Sequence, residues 1–125
     1  MIVADTSTWI AFLQGVAGED AERLDKALAD RQVLMVPVVL SELLSDPALP
    51  SAVAQTLSDV PPLEIEDGYW HRAGLLRAKV LGRGRKARLG DALFAQSCID
   101  GGVSLLTRDR DFRAFSEAAG LALLR

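Results

Sequence analysis

Residues 1–7, Met-Ile-Val-Ala-Asp-Thr-Ser, are the stretch from which the fold is deduced. The apolar run Ile2–Ala4 shows no alternation, which is typical of a strand buried on both faces in a parallel sheet. Asp5 follows at the exit of this strand, where open α/β sheets bind their ligands. Alternatively, Asp5 serves only as the cap of a helix that begins near Ser7. Three acids later in the chain occupy comparable positions, and they favour the first interpretation.

The length and composition indicate one globular domain, residues 1–125, with enough chain to bury a core. Half of the residues are hydrophobic and 25% are charged, which is ordinary for such a domain. The single cysteine, Cys98, excludes an internal disulfide. The pattern of a signal peptide is absent, and no apolar run approaches the roughly 20 residues that cross a bilayer. We therefore expect a soluble, cytoplasmic protein with no membrane partner.

Apolar and amphipathic segments alternate along the chain, and this alternation predicts the fold class. Besides the first strand, strands are predicted at Val33–Val36, Leu63–Ile65, Val103–Thr107 and Leu121–Leu124. Helices are predicted over Trp9–Leu13, over Glu19–Asp30, after Pro37, from Ser51, from a cap at Asp67 to about Leu81, over Leu89–Asp100 and over Phe112–Ala119. The expected fold is α/β, a three-layer α/β/α sandwich with a mainly parallel central sheet.

Four acids occupy positions from which they can converge on one edge of that sheet. Asp5 and Asp109 each follow a strand, while Glu42 and Asp91 lie in helices shortly after a strand or loop. Two such charges ~4 Å apart repel by ~4 kcal/mol at an effective dielectric of 20, so a cluster of four needs a cation or protons. Oxygen ligands favour Mg²⁺ or Mn²⁺, which activate water and position a phosphodiester for in-line attack. The alternative is that the three later acids are unrelated surface or capping residues.

Four segments of the chain resemble the motifs of PIN domains. They are Ile2–Ser7, Val38–Leu44, Gly90–Ala95 and Leu105–Phe112, and together they span nearly the whole sequence. In size and motif order the chain is similar to the VapC-type toxin ribonucleases of that family. The resemblance implies a Mg²⁺- or Mn²⁺-dependent endoribonuclease, the toxin of a type II toxin–antitoxin pair. It also implies a cognate antitoxin protein that holds the toxin inactive, and a homodimer.

The same resemblance implies a role for each residue of the acidic cluster. Asp5 and Asp91 would be the main metal ligands. Glu42 and Asp109 would complete the catalytic cluster, and Thr107 would orient it by hydrogen bonding. Asp111 is an alternative to Asp109, but it directly precedes an apolar helix and is interpreted as the cap of that helix.

A basic segment precedes Asp91. Between Gly68 and Gly90 the chain carries seven of its fourteen basic residues and none of its seventeen acids. Such a segment typically attracts phosphates, although a solvated helix face with a mobile loop is the alternative. We predict that the RNA backbone is bound by the basic residues nearest to Asp91, which are Arg83, Arg85, Lys86 and Arg88. The single histidine, His71, is interpreted as structural.

Other classes of protein fit the sequence less well. A haloacid-dehalogenase-type phosphatase needs a second aspartate two residues after the first, where this chain has Ser7. A dinucleotide-binding module needs a Gly-x-Gly-x-x-Gly motif after the first strand, which is absent. A receiver domain needs a lysine at a strand end, and no lysine follows a predicted strand. The remaining alternative is a catalytically inactive PIN-like module that binds RNA or protein.

Overall fold

The structure is a computed structural model, and it describes residues 1–119. The strand predicted at Leu121–Leu124 lies outside the described residues. Within residues 1–119 the order of elements is β1 (Ile2–Ala4), α1 (Thr6–Leu13), α2 (Glu19–Ala29), α3 (Pro37–Leu44), α4 (Ser51–Asp59), α5 (Tyr69–Gly82), α6 (Leu89–Gly101), β2 (Ser104–Leu106) and α7 (Phe112–Ala119).

The sheet is parallel and small. β1 pairs with β2 in a register that places Val3 opposite Leu105. On the other side of β1, Ile2 forms a parallel bridge with Val33. A strand followed by helices must cross over before it pairs in parallel, so helices necessarily pack against this sheet. The predicted α/β class with a parallel sheet is confirmed.

The second predicted strand, Val33–Val36, is reduced to isolated bridges. The Leu34 N–H donates to the Ile2 carbonyl (3.0 Å), and the Met35 N–H donates to the Pro61 carbonyl (2.8 Å). Pairing then ends, because Pro37 at the first position of α3 turns the chain into a helix. The segment makes one bridge to each of its two neighbours, Ile2↔Val33 and Met35↔Pro62, in place of an extended ladder.

The strand predicted at Leu63–Ile65 is not present. Pro62 makes one parallel bridge with Met35, and the Leu63 N–H donates to the Met35 carbonyl (2.9 Å). Pro61 and Pro62 have no N–H to donate, which limits the pairing that this segment can sustain.

The predicted helices are all found, but some of their caps and faces differ from the prediction. Gly68, at a left-handed φ of 81°, is the N-cap of α5 in place of Asp67. Pro50 precedes α4, and Ser51 is the first residue of that helix. Trp70, although apolar and in the first turn of α5, is 67% exposed. Gly102 ends α6 at a φ of 61°, in the left-handed conformation expected after a helix.

The core places the ends of the strands beside the starts of two helices. β1 and β2 are central, and Val3, Leu105 and Leu106 are essentially inaccessible to solvent. Phe94 of α6 packs edge-on against Phe112 of α7, with ring centroids 5.5 Å apart. This contact holds the first turns of α6 and α7 close to the carboxyl end of β2. None of the helices described is long and apolar enough to span a bilayer.

Candidate active site

Asp5 lies at the carboxyl end of β1 and is also the N-cap of α1. Its Oδ1 accepts hydrogen bonds from the Thr8 N–H (3.0 Å) and the Ser7 hydroxyl (2.7 Å). Its Oδ2 accepts a hydrogen bond from the Thr107 hydroxyl (2.6 Å). Burial raises the pKa of Asp5, and the hydrogen bonds from Thr107, Thr8 and Ser7 oppose that rise. The two interpretations of Asp5 are therefore compatible, since one carboxyl both caps the helix and lines a cleft.

The cleft has a volume of about 250 Å³ and lies beyond the carboxyl ends of β1 and β2. All four acids singled out from the sequence line it, together with one arginine and an apolar wall. The lining comprises Asp5, Thr6, Ser7, Ile10, Val39, Glu42, Arg88, Asp91, Phe94, Asp109 and Phe112. The structure thus brings together acids from β1, α3, α6 and the loop after β2. Their catalytic roles remain predictions.

Burial and the neighbouring acids both act on the Asp91 carboxyl. It lies in the first turn of α6. Its pKa is raised to about 6. Burial is the largest cause, the negative charges of Asp109, Glu42 and Asp5 add to the rise, and the charge of Arg88 opposes it. A carboxyl group in such a field is stabilised in its charged form by a nearby cation.

Glu42 reaches the cleft from α3. Its Oε1 accepts a hydrogen bond from the Thr6 hydroxyl (3.1 Å). A Cβ atom added at Gly90 would lie 3.9 Å from both of its carboxylate oxygens, so the start of α6 runs directly beside it. Although Glu42 is flanked by leucines in α3, its carboxylate faces the same cleft as Asp91.

The loop after β2 connects Asp109 to Asp5 through Thr107. The Thr107 hydroxyl donates to Asp5 and accepts a hydrogen bond from the Asp109 N–H (2.9 Å). Asp109 Oδ1 in turn accepts from the Asp111 N–H (2.9 Å). The Asp111 carboxyl does not line the cleft, and within residues 1–119 it accepts no capping hydrogen bond. The contact expected of Thr107 is present, and its effect on catalysis remains a prediction.

The basic residues divide into two groups. Arg88 is the N-cap of α6 and lines the cleft, whereas Arg83, Arg85 and Lys86 lie exposed on the adjoining loop and do not line it. Arg85 Nη1 lies 3.3 Å from Glu117 Oε2. This ion pair is exposed to solvent, and such pairs contribute little to stability. Arg88 is thus the only member of the predicted RNA-binding set that faces the described cleft directly.

Two other basic residues of the segment have structural partners. Arg72 forms an ion pair with Asp100, with Nη2 and Oδ2 2.6 Å apart. Arg77 Nε donates to the Ala87 carbonyl (2.8 Å), which fixes the loop that leads to α6. Asp100 therefore offsets the charge of Arg72, while Arg77 keeps its charge but is held by the backbone.

Sequence reasoning missed the hydroxyl groups that hold the acids. Thr6 binds Glu42, and Ser7 and Thr8 bind Asp5 through a hydroxyl and a backbone N–H. The signal was available, because three consecutive hydroxyl residues directly follow Asp5 at the start of a helix.

The donor set of the cleft suits a hard cation. It consists of carboxylate oxygens, which is the ligand chemistry of Mg²⁺ and Mn²⁺, and it contains no histidine or cysteine. The repulsion evident at Asp91 gives a cation a clear electrostatic role. Within residues 1–119, however, no group of three His, Cys, Asp or Glu side chains stands close enough to enclose an ion. The acids surround the cleft without forming a closed set of ligands.

Comparison with known proteins identifies the family. Residues 2–118 match the model of the PIN domain, and the chain belongs to the PIN domain family. It is 27% identical over 132 aligned residues to ribonuclease VapC5 of Mycobacterium tuberculosis (strain ATCC 25618 / H37Rv), with 98% of this chain and 93% of that protein covered. The predicted family is thus confirmed, and the four motif segments fall inside the matched range.

Solved structures show the same fold. A VapBC-5 toxin–antitoxin complex from Mycobacterium tuberculosis matches with a TM-score of 0.70 at 25% identity, covering 98% of this chain and 96% of that one. FitAcB from Neisseria gonorrhoeae matches with a TM-score of 0.71 at 17% identity, covering 100% and 97%. VapBC2 from Rickettsia felis, bound to a DNA fragment from its promoter, matches with a TM-score of 0.71 at 18% identity, covering 99% and 98%. The predicted sandwich fold is therefore that of a PIN domain.

Proposed function

We propose that this protein is a Mg²⁺- or Mn²⁺-dependent endoribonuclease and the toxin of a type II toxin–antitoxin pair. The observation that carries the proposal is the convergence of four carboxyls and Arg88 on one cleft at the carboxyl edge of the sheet. The family membership and the similarity to ribonuclease VapC5 support it.

Each residue of the cleft has a part in the proposed reaction. Asp5 and Asp91 would hold the cation, and Glu42 and Asp109 would complete its acidic surroundings. When bound, the cation would activate water and stabilise charge on the phosphodiester. Thr107 keeps the Asp5 carboxylate oriented, and Arg88 offers a positive charge to a phosphate at the cleft. Ile10, Val39, Phe94 and Phe112 supply the apolar part of the cleft lining.

A protein partner is part of the proposal, in line with the toxin–antitoxin complexes among the similar structures. An apolar groove of about 350 Å³ adjoins the cleft, and Glu42 lines both. Exposed side chains of α1 contribute to it, with Ile10 43% and Leu13 39% accessible. An antitoxin segment bound in this groove would end beside the acids and could block them. Self-association into a homodimer also remains part of the proposal.

Removal of the metal tests the proposed activity. Protein purified free of antitoxin should cleave RNA in Mg²⁺ or Mn²⁺, lose cleavage in EDTA and regain it when excess Mg²⁺ is restored. The measurement is the rate of cleavage of an end-labelled RNA pool at constant ionic strength. Cleavage that persists after complete removal of divalent ions would contradict a metal-dependent site.

The second candidate function is an inactive PIN-like module that binds RNA or protein. It would be favoured if the protein bound RNA but cleaved none of a broad RNA pool with any divalent ion. The intact set of four acids in the cleft argues against it, because an unneutralised cluster is costly to keep.

The exposed basic loop should contribute to RNA binding and little to stability. Substitution of Arg83, Arg85 and Lys86 by alanine should weaken binding and flatten its dependence on salt, since fewer counterions are released. The unfolding free energy should change by no more than about 0.5 kcal/mol per exposed substitution. Binding is measured by fluorescence anisotropy in EDTA over a salt series.

A charge-matched control comes from α2 and the turn that follows it, which lie apart from the loop in the sequence. Arg23, Lys26 and Arg31 are three basic residues of the same total charge, and all are exposed. Their replacement by alanine should leave the salt slope close to that of the original protein. An unchanged slope in the loop variant would remove the loop from the binding surface.

A further inference from the structure

An ion pair outside the cleft ties α2 to the loop that carries Asp109. Arg108 Nε donates to Asp20 Oδ2 (2.7 Å), and its Nη2 donates to Asp20 Oδ1 (2.6 Å). This two-point geometry matches the planar guanidinium to the carboxylate and is stronger and more directional than a single contact. The guanidinium lowers the pKa of Asp20 to about 2, so the carboxylate is ionised at neutral pH. The pair is partly shielded from solvent, with the Asp20 side chain 13% and the Arg108 side chain 33% exposed.

The pair is connected to the acids of the cleft on both sides. Arg108 stands between Thr107, which donates to Asp5, and Asp109, whose N–H donates to Thr107. On the α1 side, the Thr8 hydroxyl donates to Asp20 Oδ2 (2.8 Å), while the Thr8 N–H donates to Asp5 Oδ1 (3.0 Å). Asp20 therefore contacts Thr8, which donates to the Asp5 carboxylate, and Arg108, which lies in the turn that carries Asp109.

Gly18 leaves room for this arrangement. A Cβ atom at Gly18 would lie 2.5 Å from Arg108 Nη2 and 2.7 Å from Asp20 Oδ1, which is too close for either to stay in place. Arg108 Nη2 also donates to the Ala17 carbonyl (3.4 Å), so the chain before α2 wraps around the guanidinium. The segment before α2 is therefore shaped around the ion pair.

We propose that Asp20 and Arg108 are positioning residues, which hold the Thr107–Asp109 loop and the Asp5 carboxylate in the geometry that cleavage requires. Neither residue lines the cleft, so they act through Thr8, Thr107 and the backbone of the loop. The proposal rests on the proposed nuclease function for its catalytic consequence. Its structural part, the fixing of the loop, can be measured without any cleavage.

Asp20→Asn tests the pair with almost no change in volume. An amide in place of the carboxylate puts an NH₂ group against Arg108 or Thr8, which removes at least one of the three hydrogen bonds that the carboxylate accepts. We expect kcat to fall about tenfold at a temperature well below the unfolding transition, a shift of about 1.4 kcal/mol in the barrier. The Kd for RNA, measured in EDTA, should stay unchanged, because the pair does not face the substrate.

Asp100→Asn is a closely matched control. Asp100 also accepts two hydrogen bonds from one arginine, Arg72, and a third from a neighbouring side chain, Gln96 Nε2 (2.8 Å). It lies near the end of α6, away from the cleft lining. Asp100→Asn should lower thermal stability to a degree similar to that of Asp20→Asn and leave kcat unchanged. A purely structural role for Asp20 would make the two variants alike in activity.

Amide hydrogen exchange separates this proposal from the proposed function. In Asp20→Asn, the amides of Asp109 and Asp111 should exchange at least several times faster, while those in the middle of α5 and α6 keep their rates. Asp100→Asn should leave the Asp109 and Asp111 amides unchanged. Faster exchange without any cleavage by the unsubstituted protein would support the positioning and contradict the nuclease. Normal cleavage and unchanged exchange in Asp20→Asn would overturn the positioning and leave the nuclease standing.

Gly18→Ala is a second variant that changes no charge and no polar group. It displaces the Arg108 guanidinium or the Asp20 carboxylate by steric contact, and it also strains the backbone, because Gly18 has a φ of 158°. It should reproduce both the lower kcat and the faster exchange of the Asp109 and Asp111 amides. Gly15→Ala is the corresponding control, since Gly15 also has a positive φ (70°) and a Cβ there meets no atom within 4 Å. A Gly18→Ala protein with unchanged kcat and unchanged exchange would contradict the proposal even if Asp20→Asn failed to fold.

Discussion

Asp5→Asn is expected to reduce RNA cleavage by at least about 100-fold, because a bound cation contributes several kcal/mol of charge stabilisation and each 1.4 kcal/mol is a factor of ten. The substitution removes the negative charge from the centre of the cleft and changes little else. An asparagine Oδ1 can still accept the Thr8 N–H and cap α1, and the hydroxyls of Ser7 and Thr107 can rotate to accept from its NH₂ group. Burial raises the pKa of Asp5, which means that the ionised carboxylate does not stabilise the folded state.

The measurement is the single-turnover cleavage rate in saturating Mg²⁺, with thermal unfolding as the check on folding. Asp59→Asn provides the control, because Asp59 ends α4 and, within residues 1–119, its carboxylate accepts a hydrogen bond only from Gln55 Nε2 (2.9 Å). That variant carries the same change in net charge and should cleave RNA at the original rate. Equal cleavage by the original protein and Asp5→Asn would indicate a contaminating nuclease and contradict the assignment.

Local patterns were sufficient to predict the main elements. Ile2–Ala4 was identified as a buried strand from three consecutive apolar residues, and Phe112–Ala119 as a helix from its apolar spacing. Strands were predicted at Val33–Val36 and Leu63–Ile65, in or beside which the structure has only isolated bridges. Strand pairing depends on partners distant in sequence, so a short apolar run does not show how many ladder hydrogen bonds it will form. Pro61 and Pro62, which directly precede Leu63, already favoured limited pairing there.

The cluster of acids could be predicted because the geometry of a parallel sheet brings the carboxyl ends of its strands to one edge. The Asp20–Arg108 pair could not be predicted in the same way. Its members are 88 residues apart, and Asp20 resembles an ordinary acid in the first turn of a helix. The number of basic residues free to bind RNA was overestimated for a related reason. The partners of Arg72 and Arg77 belong to α6 and the loop before it, which the sequence does not show to be close.

Asp109→Asn and Asp111→Asn should have very different effects on cleavage, although the two residues lie two positions apart in one loop. Asp109 lines the cleft, and its charge contributes to the raised pKa of Asp91. Asp109→Asn should lower the cleavage rate by about tenfold or more, equivalent to about 1.4 kcal/mol or more. The turn before α7 should survive, since an asparagine Oδ1 can still accept the Asp111 N–H. Asp111→Asn should keep cleavage within about threefold, a difference of less than about 0.7 kcal/mol.

The two variants control for each other, because each removes one negative charge and alters hardly any volume. Single-turnover rates are compared at one Mg²⁺ concentration and again at a tenfold higher one. If Asp109 supports the cation, excess Mg²⁺ should recover part of the activity of Asp109→Asn and change that of Asp111→Asn little. The Asp111 carboxyl accepts no hydrogen bond within residues 1–119, so its substitution should also leave stability within about 0.5 kcal/mol. Loss of cleavage in Asp111→Asn with full activity in Asp109→Asn would reverse the assignment and require the loop to turn its other carboxylate into the cleft.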